Sequence, residues 1–193
     1  MKKLLLGLVI TVLLTSPGWG QILLDFEGIP DAYYYWGGNT NLGSYYSGVN
    51  FGADATILDK VIYGYDDAAA PPHSGNAVLY SHINPTIRMD FTGGFVNSVS
   101  AWYTSVSHTF YMDLYNSSNV LLSSVSSPSN YGTNSLISYT SSGFDIAYVE
   151  FHDAGGWIAL DDISYNPVPE PGTLMLLGTG LLGLGAFRFR RKK

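Results

Sequence analysis

Outside its two ends, this chain contains no run of ten residues with the apolar period of a helix. Glu occurs three times and Gln once, so residues that usually coat exposed helices are nearly missing. What recurs instead is a short apolar-rich segment closed by Gly, Asn, Ser or Pro. Segments of this kind predict strands at 22–26, 49–51, 59–63, 77–81, 86–91, 95–104, 109–115, 120–125, 135–139, 145–152 and 157–164. Two of them alternate cleanly. Ile87, Met89 and Phe91 point one way with Arg88 and Asp90 opposite, and Phe110, Met112 and Leu114 do the same with Asp113 opposite. Asn116-Ser117-Ser118-Asn119 reads as a tight hairpin connection, whereas the Ser- and Asn-rich stretch 123–142 reads as a mobile loop pair around a weak strand. Many short strands at this spacing predict an all-β chain folded as an antiparallel β-sandwich.

The two ends read differently. Lys2 and Lys3 precede an apolar run at 4–14, followed by Thr15-Ser16-Pro17-Gly18-Trp19-Gly20 with small residues at Gly18 and Gly20. Such an order is expected of a secretory signal peptide, residues 1–20, removed by signal peptidase to leave Gln21 first. Eleven apolar residues give only ~16 Å of helix, short of a ~30 Å hydrocarbon core. At the other end, residues 167–193 hold Pro169-Glu170-Pro171, an apolar stretch at 172–187 and the basic tail Arg188-Phe189-Arg190-Arg191-Lys192-Lys193. The apolar stretch makes ~24 Å of helix, enough to span with some thinning of the bilayer. A basic cluster beyond it stays cytoplasmic.

Charge follows the same division. The formal net charge is −6, but residues 22–166 hold only Lys60 and Arg88 against 14 acids, a net of −12. That balance excludes nucleic acid as a partner. The absence of Cys excludes disulfides, thiolate metal sites and Cys nucleophiles.

The C-terminal order of motif, apolar helix and basic tail resembles the PEP-CTERM sorting signal of Gram-negative bacteria, with Pro169, Glu170 and Pro171 as its signature. The resemblance implies recognition by an exosortase, export across the inner membrane and a transient membrane anchor. The destination it implies is the cell surface or an extracellular matrix linked to exopolysaccharide. An ordinary single-pass anchor is the alternative. Between the ends, residues 21–166 begin with Asp25-Phe26-Glu27-Gly28 and finish with Ile158-Ala159-Leu160-Asp161-Asp162-Ile163. This pairing resembles the jelly-roll sandwiches of carbohydrate-binding modules and MAM-type extracellular domains. It implies that the first and last strands lie together and that Asp25, Glu27, Asp161 and Asp162 hold a structural Ca²⁺. Hard oxygen ligands suit that ion. Asp161 and Asp162 would project to opposite faces of a regular strand, so a shared ion requires a strand end or a bulge.

The residues Tyr33, Tyr34, Tyr35 and Trp36, followed by Tyr45 and Tyr46, concentrate aromatic rings in a loop after the first strand. Rings with polar tips suit a half-exposed face against sugar, or packing over the open end of the sandwich. Trp102 and Trp157 are expected in or near the core. His73, His82, His108 and His152 lack metal-protease spacing, and no Ser sits in a Gly-x-Ser-x-Gly turn. The expectation is therefore a non-catalytic, polysaccharide-associated module. A purely structural matrix protein and a polysaccharide-acting enzyme are the alternatives.

Overall fold

The computed structural model describes residues 20–30, 41–53, 55–63, 68–81, 86–155 and 157–168. Of the expected signal peptide at 1–20, residues 1–19 lie outside these residues, as do the apolar stretch 172–187, the basic tail, Pro169, Glu170, Pro171, Tyr33, Tyr34, Tyr35 and Trp36. Among the described residues no helix is long and apolar enough to cross a membrane.

Among the described residues, eleven strands form two antiparallel sheets. They are β1 (Ile22–Leu24), β2 (Val49–Phe51), β3 (Ala55–Asp59), β4 (Ala77–Ser81), β5 (Thr86–Phe91), β6 (Val96–Ser105), β7 (Phe110–Tyr115), β8 (Leu121–Ser127), β9 (Ser135–Thr140), β10 (Tyr148–His152) and β11 (Ile158–Pro167). One sheet has the order β3-β4-β11-β6-β9, with β1 also on β11. The other has the order β2-β5-β10-β7-β8. The chain is an all-β antiparallel sandwich, and its first and last strands are neighbours, with Leu24 opposite Ile163.

The sandwich closes on the apolar faces that the alternation marks. Ile87, Met89, Phe110, Met112, Leu114, Val149 and Phe151 of the five-stranded sheet are fully buried against Val99, Ala101, Tyr103, Leu160 and Ile163 of the other. Aromatic rings bridge the two layers: Tyr103 stacks on Phe110 with centroids 4.3 Å apart, and Phe110 stacks in turn on Phe151 at 6.3 Å. The Tyr103 hydroxyl donates to the Pro128 carbonyl at 2.9 Å, so the one polar atom of the stack is satisfied.

Three local expectations change. The strand expected at 59–63 is instead Ala55–Asp59 followed by a single helical turn, α1 (Lys60–Tyr63). Asp59 causes the switch: its Oδ1 accepts the Val61 N–H at 2.7 Å, the bond of a helix N-cap. β3 was hard to read because all five of its residues are buried. A second small cluster of Leu58, Ala70, Val78, Tyr80 and Ala159 covers its far side, where Thr56 is buried as well, so no exposed polar residue marks an outer face. The stretch 123–142 is not a mobile loop pair around a weak strand: the strands expected at 120–125 and 135–139 form β8 and β9, with β8 running on to Ser127. Asn130 orders their connection by adding to the end of β6, accepting from Ser105 N at 2.8 Å and donating to Tyr103 O at 2.9 Å. Trp157 is 63% exposed, not in the core, and Trp102 is half-buried beneath His73. The 116–119 hairpin forms as expected, with Asn116 Oδ1 accepting from Ser118 N and Val120 N.

Candidate functional site

The four carboxylates expected to hold calcium lie around one connection. β11 is bordered on one edge first by β4, at Ala159 and Leu160, and then by β1, from Ile163 onward. Between those two partners its register against β6 slips, at Asp161 to Ser164. Asp162 takes a φ of 44° there, a left-handed conformation that Asp tolerates better than most residues. This bulge lets consecutive aspartates serve the same loop. Asp161 Oδ2 accepts from Ser74 N at 2.8 Å, and Asp162 accepts from Ser74 Oγ at 3.0 Å and meets His73 Nδ1 at 2.6 Å. Glu27 Oε1 accepts from both Asn76 N and Ala77 N, and Asp25 Oδ1 accepts from Glu27 N.

Asp161 and Glu27 therefore hold backbone amides of the 73–77 segment, Asp162 holds its His73 and Ser74 side chains, and Asp25 holds the Glu27 amide. Asp161 Oδ1 also accepts from Asp162 N at 2.7 Å, which engages the second oxygen of that group. Among the described residues, no three acidic or His side chains converge as metal ligands. With both Asp161 oxygens and Oε1 of Glu27 committed to N–H groups of the chain, the donor set does not fit a calcium cage. Burial pushes the Asp161 carboxyl up to about 6, with the charge of Asp162 adding to the shift and the Ser74 N–H opposing it.

Of the aromatic loop, Tyr45 and Tyr46 are described. Tyr46 packs edge-on against Phe26, its ring centroid 6.0 Å away, and its hydroxyl accepts from Phe26 N at 3.1 Å. Burial raises its ionisation well above the usual tyrosine range, with the charge of Asp25 adding. Tyr46 thus anchors the end of the first strand to the core, while Tyr45 packs edge-on upon it and is 40% exposed.

Sequence reasoning did not identify the most organised polar surface, the outer face of the five-stranded sheet. Here β10 lies between β5 and β7, and the register sets three rows side by side. Asp90, Tyr148 and Tyr115 form the first, Arg88, Glu150 and Asp113 the second, and Thr86, His152 and Tyr111 the third. Tyr148 and Tyr115 are parallel, with centroids 4.7 Å apart. That distance equals the spacing of adjacent strands, and the stack leaves Tyr148 buried and Tyr115 half-buried. His152 and Tyr111 stack in the same way at 5.3 Å, and His152 Nε2 meets Asp113 Oδ2 at 3.1 Å. The Arg88 guanidinium lies 3.7 Å from the Tyr148 ring centroid, is forked onto Asp90 through Nε and Nη2, and faces Glu150 at 3.7 Å. The hydrogen bonds to Asp90 hold it charged.

Apart from Thr86, each of these side chains is thus held by a ring stack or an ion pair. The sequence signal was present in the outward positions of β5 and β7. It could not show that β10, distant in sequence from β5, would be inserted between them.

Comparison with known proteins bears first on the C-terminus. Residues 167–192 match the model of the PEP-CTERM protein-sorting motif, and this span contains Pro169, Glu170 and Pro171. The chain carries a PEP-CTERM sorting motif. A PEP-CTERM motif implies export, transient membrane anchoring and recognition by an exosortase. No curated protein matches the chain.

Solved structures similar to this PEP-CTERM chain include the K1 cleaved adhesin domain of Lys-gingipain from Porphyromonas gingivalis W83. It is 14% identical at a TM-score of 0.42, covering 78% of this chain and 99% of that one. A family 29 carbohydrate-binding module from Piromyces equi is 10% identical at a TM-score of 0.37, covering 61% and 91%. The family 32 module of C. perfringens NanJ, solved with galactose, is 12% identical at a TM-score of 0.36, covering 62% and 93%.

Proposed function

We propose that the exported domain is a non-catalytic module that associates with uncharged extracellular polysaccharide through the outer face of its five-stranded sheet. The observation that carries this reading is the fixed array of Arg88, Asp90, Asp113, Glu150, His152 and stacked tyrosines on that face. Immobilised donors and acceptors at strand spacing suit a polymer that presents hydroxyls repeatedly, because little side-chain freedom is lost when it binds. Since Tyr115 and Tyr148 stack on one another and Tyr111 stacks on His152, recognition is through hydrogen bonds at the accessible hydroxyls and charged tips. Three carboxylates against one arginine, on a segment of net charge −12, repel polyuronates and sulfated chains. The exosortase signal supplies the route, with the inner membrane of a Gram-negative bacterium crossed first and the surface or matrix as destination. Signal peptidase would process the other end.

The test is retention of the exported protein on insoluble neutral glucan, on partially deacetylated chitin and on a polyuronate gel. Retention is expected on an uncharged glycan and not on the polyuronate. Tyr111→Ala and Glu150→Gln should each weaken it on the order of tenfold, the cost of one or two lost hydrogen bonds. Trp157→Ala should leave it unchanged. Retention that ignores the Tyr111 and Glu150 changes, or that is absent from every glycan, overturns the assignment.

A further inference from the structure

The two sides of the sandwich are finished differently. On one side the edge strands β2 and β3 are sealed by the chain itself: Leu42 N donates to Ala55 O at 2.7 Å, and Phe51 N donates to Gly43 O at 2.8 Å. At the other ends of the strand orders, β8 and β9 are the last strands of their respective sheets. They lie against each other, and among the described residues no strand pairs with the outer edge of either. An open edge presents a row of backbone donors and acceptors that another extended chain can satisfy.

Sheet proteins normally blunt such an edge with lysine, proline or an inward charge. None of these occurs within β8 or β9. Residues 114–144, which span both strands and their connections, contain no Asp, Glu, Lys, Arg or His. Leu121, Tyr131 and Leu136 in this stretch are about half exposed or more. All 14 acids of the segment 22–166 lie elsewhere. A basic partner would be drawn to those acidic surfaces. For a partner bearing the same net charge of −12, this neutral side offers an approach that puts no acidic side chain against another.

We propose that the β8 edge is a self-association surface, at which two copies of this chain pair their β8 strands antiparallel about a two-fold axis. Such an isologous contact places the same residues of both copies against one another and continues the five-stranded sheet from one copy into the next. The proposal stands without the polysaccharide reading. If both hold, the outer faces join into one longer surface, and a polymer spanning both gains avidity without new contacts.

Analytical ultracentrifugation of the exported protein over a range of concentration and salt tests this. Wild type is expected to dimerise, and more tightly as salt rises, because screening removes the repulsion between the acidic surfaces. The double variant Ser124→Lys, Ser126→Lys sets lysines opposite their counterparts at exposed positions of β8 and should weaken dimerisation on the order of tenfold or more. Ser107→Lys, exposed in the β6–β7 connection, should not weaken it. A wild type that stays monomeric at every concentration and salt overturns the proposal, as does a dimer indifferent to the β8 lysines. Hydrogen exchange on wild type supplies a readout that needs no variant: β8 amides should exchange more slowly in concentrated than in dilute protein. Equal exchange overturns the pairing.

Discussion

The buried bulge aspartate makes a signed prediction. Asp161 is 1% exposed, and burial pushes its carboxyl from 3.8 up to about 6. Below pH 4 the group is protonated in folded and unfolded chains alike. Between there and pH 6 the folded protein keeps a proton that the unfolded chain releases, so its stabilising contribution is lost as pH rises through about 6. A shift of that size corresponds to roughly 3 kcal/mol. Asp161→Asn removes the titration and, whatever its constant offset from losing one acceptor, should show no such loss. Urea unfolding at fixed temperature from pH 4 to 7.5, with chelator present, measures it. Wild-type stability minus that of Asp161→Asn should fall by up to about 3 kcal/mol over this range, or about 6–12 °C in melting temperature for a domain of this size. A difference that is flat within about 0.5 kcal/mol, or that grows with pH, would refute the claim that burial dominates at Asp161.

Phe110→Ala removes the middle ring of the Tyr103–Phe110–Phe151 stack and should cost about 3–5 kcal/mol in denaturant unfolding, as large core truncations do. Gly75 holds a φ of 55°, and a Cβ there would fall on the Glu27 carboxylate, so Gly75→Ala should destabilise by about 2–3 kcal/mol, measured by thermal melting. Because Asp25, Glu27, Asp161 and Asp162 already accept hydrogen bonds from within the chain, melting temperatures in calcium and in chelator should agree. A midpoint that falls in chelator and returns with calcium would show that these side chains rearrange around the ion.

How much was legible in the sequence follows from which faces meet water. β5 and β7 alternate because one side of their sheet is open, and their core residues could be read directly. β3 and β4 are covered on both sides, so alternation vanishes there and the expected strand shifted onto Lys60–Tyr63. The closeness of the Asp25–Glu27 and Asp161–Asp162 segments was legible by resemblance, but their partners were not. Ser74, Asn76 and Ala77 reach those carboxylates because β4 gives way to β1 along β11, a matter of topology. The outer-face array was hidden for the same reason: Tyr148, Glu150 and His152 acquire their stacking and ionic partners only when β10 is placed between β5 and β7. The strands expected at 120–125 and 135–139 fall close to β8 and β9, but the Ser-rich stretch across them read as loose because both are edges, where few side chains need be apolar.

The placement of the domain's two cations has one more outcome. Trypsin-like proteases cut after Lys and Arg, and between residues 20 and 168 only Lys60 and Arg88 qualify. Arg88 lies in a strand hydrogen-bonded on both sides, where a protease cannot draw the chain into its cleft. Lys60 begins the single helical turn and is followed by Val61, which is 71% exposed. In surroundings rich in secreted proteases, the folded domain therefore offers such an enzyme one place to cut, the Lys60–Val61 bond.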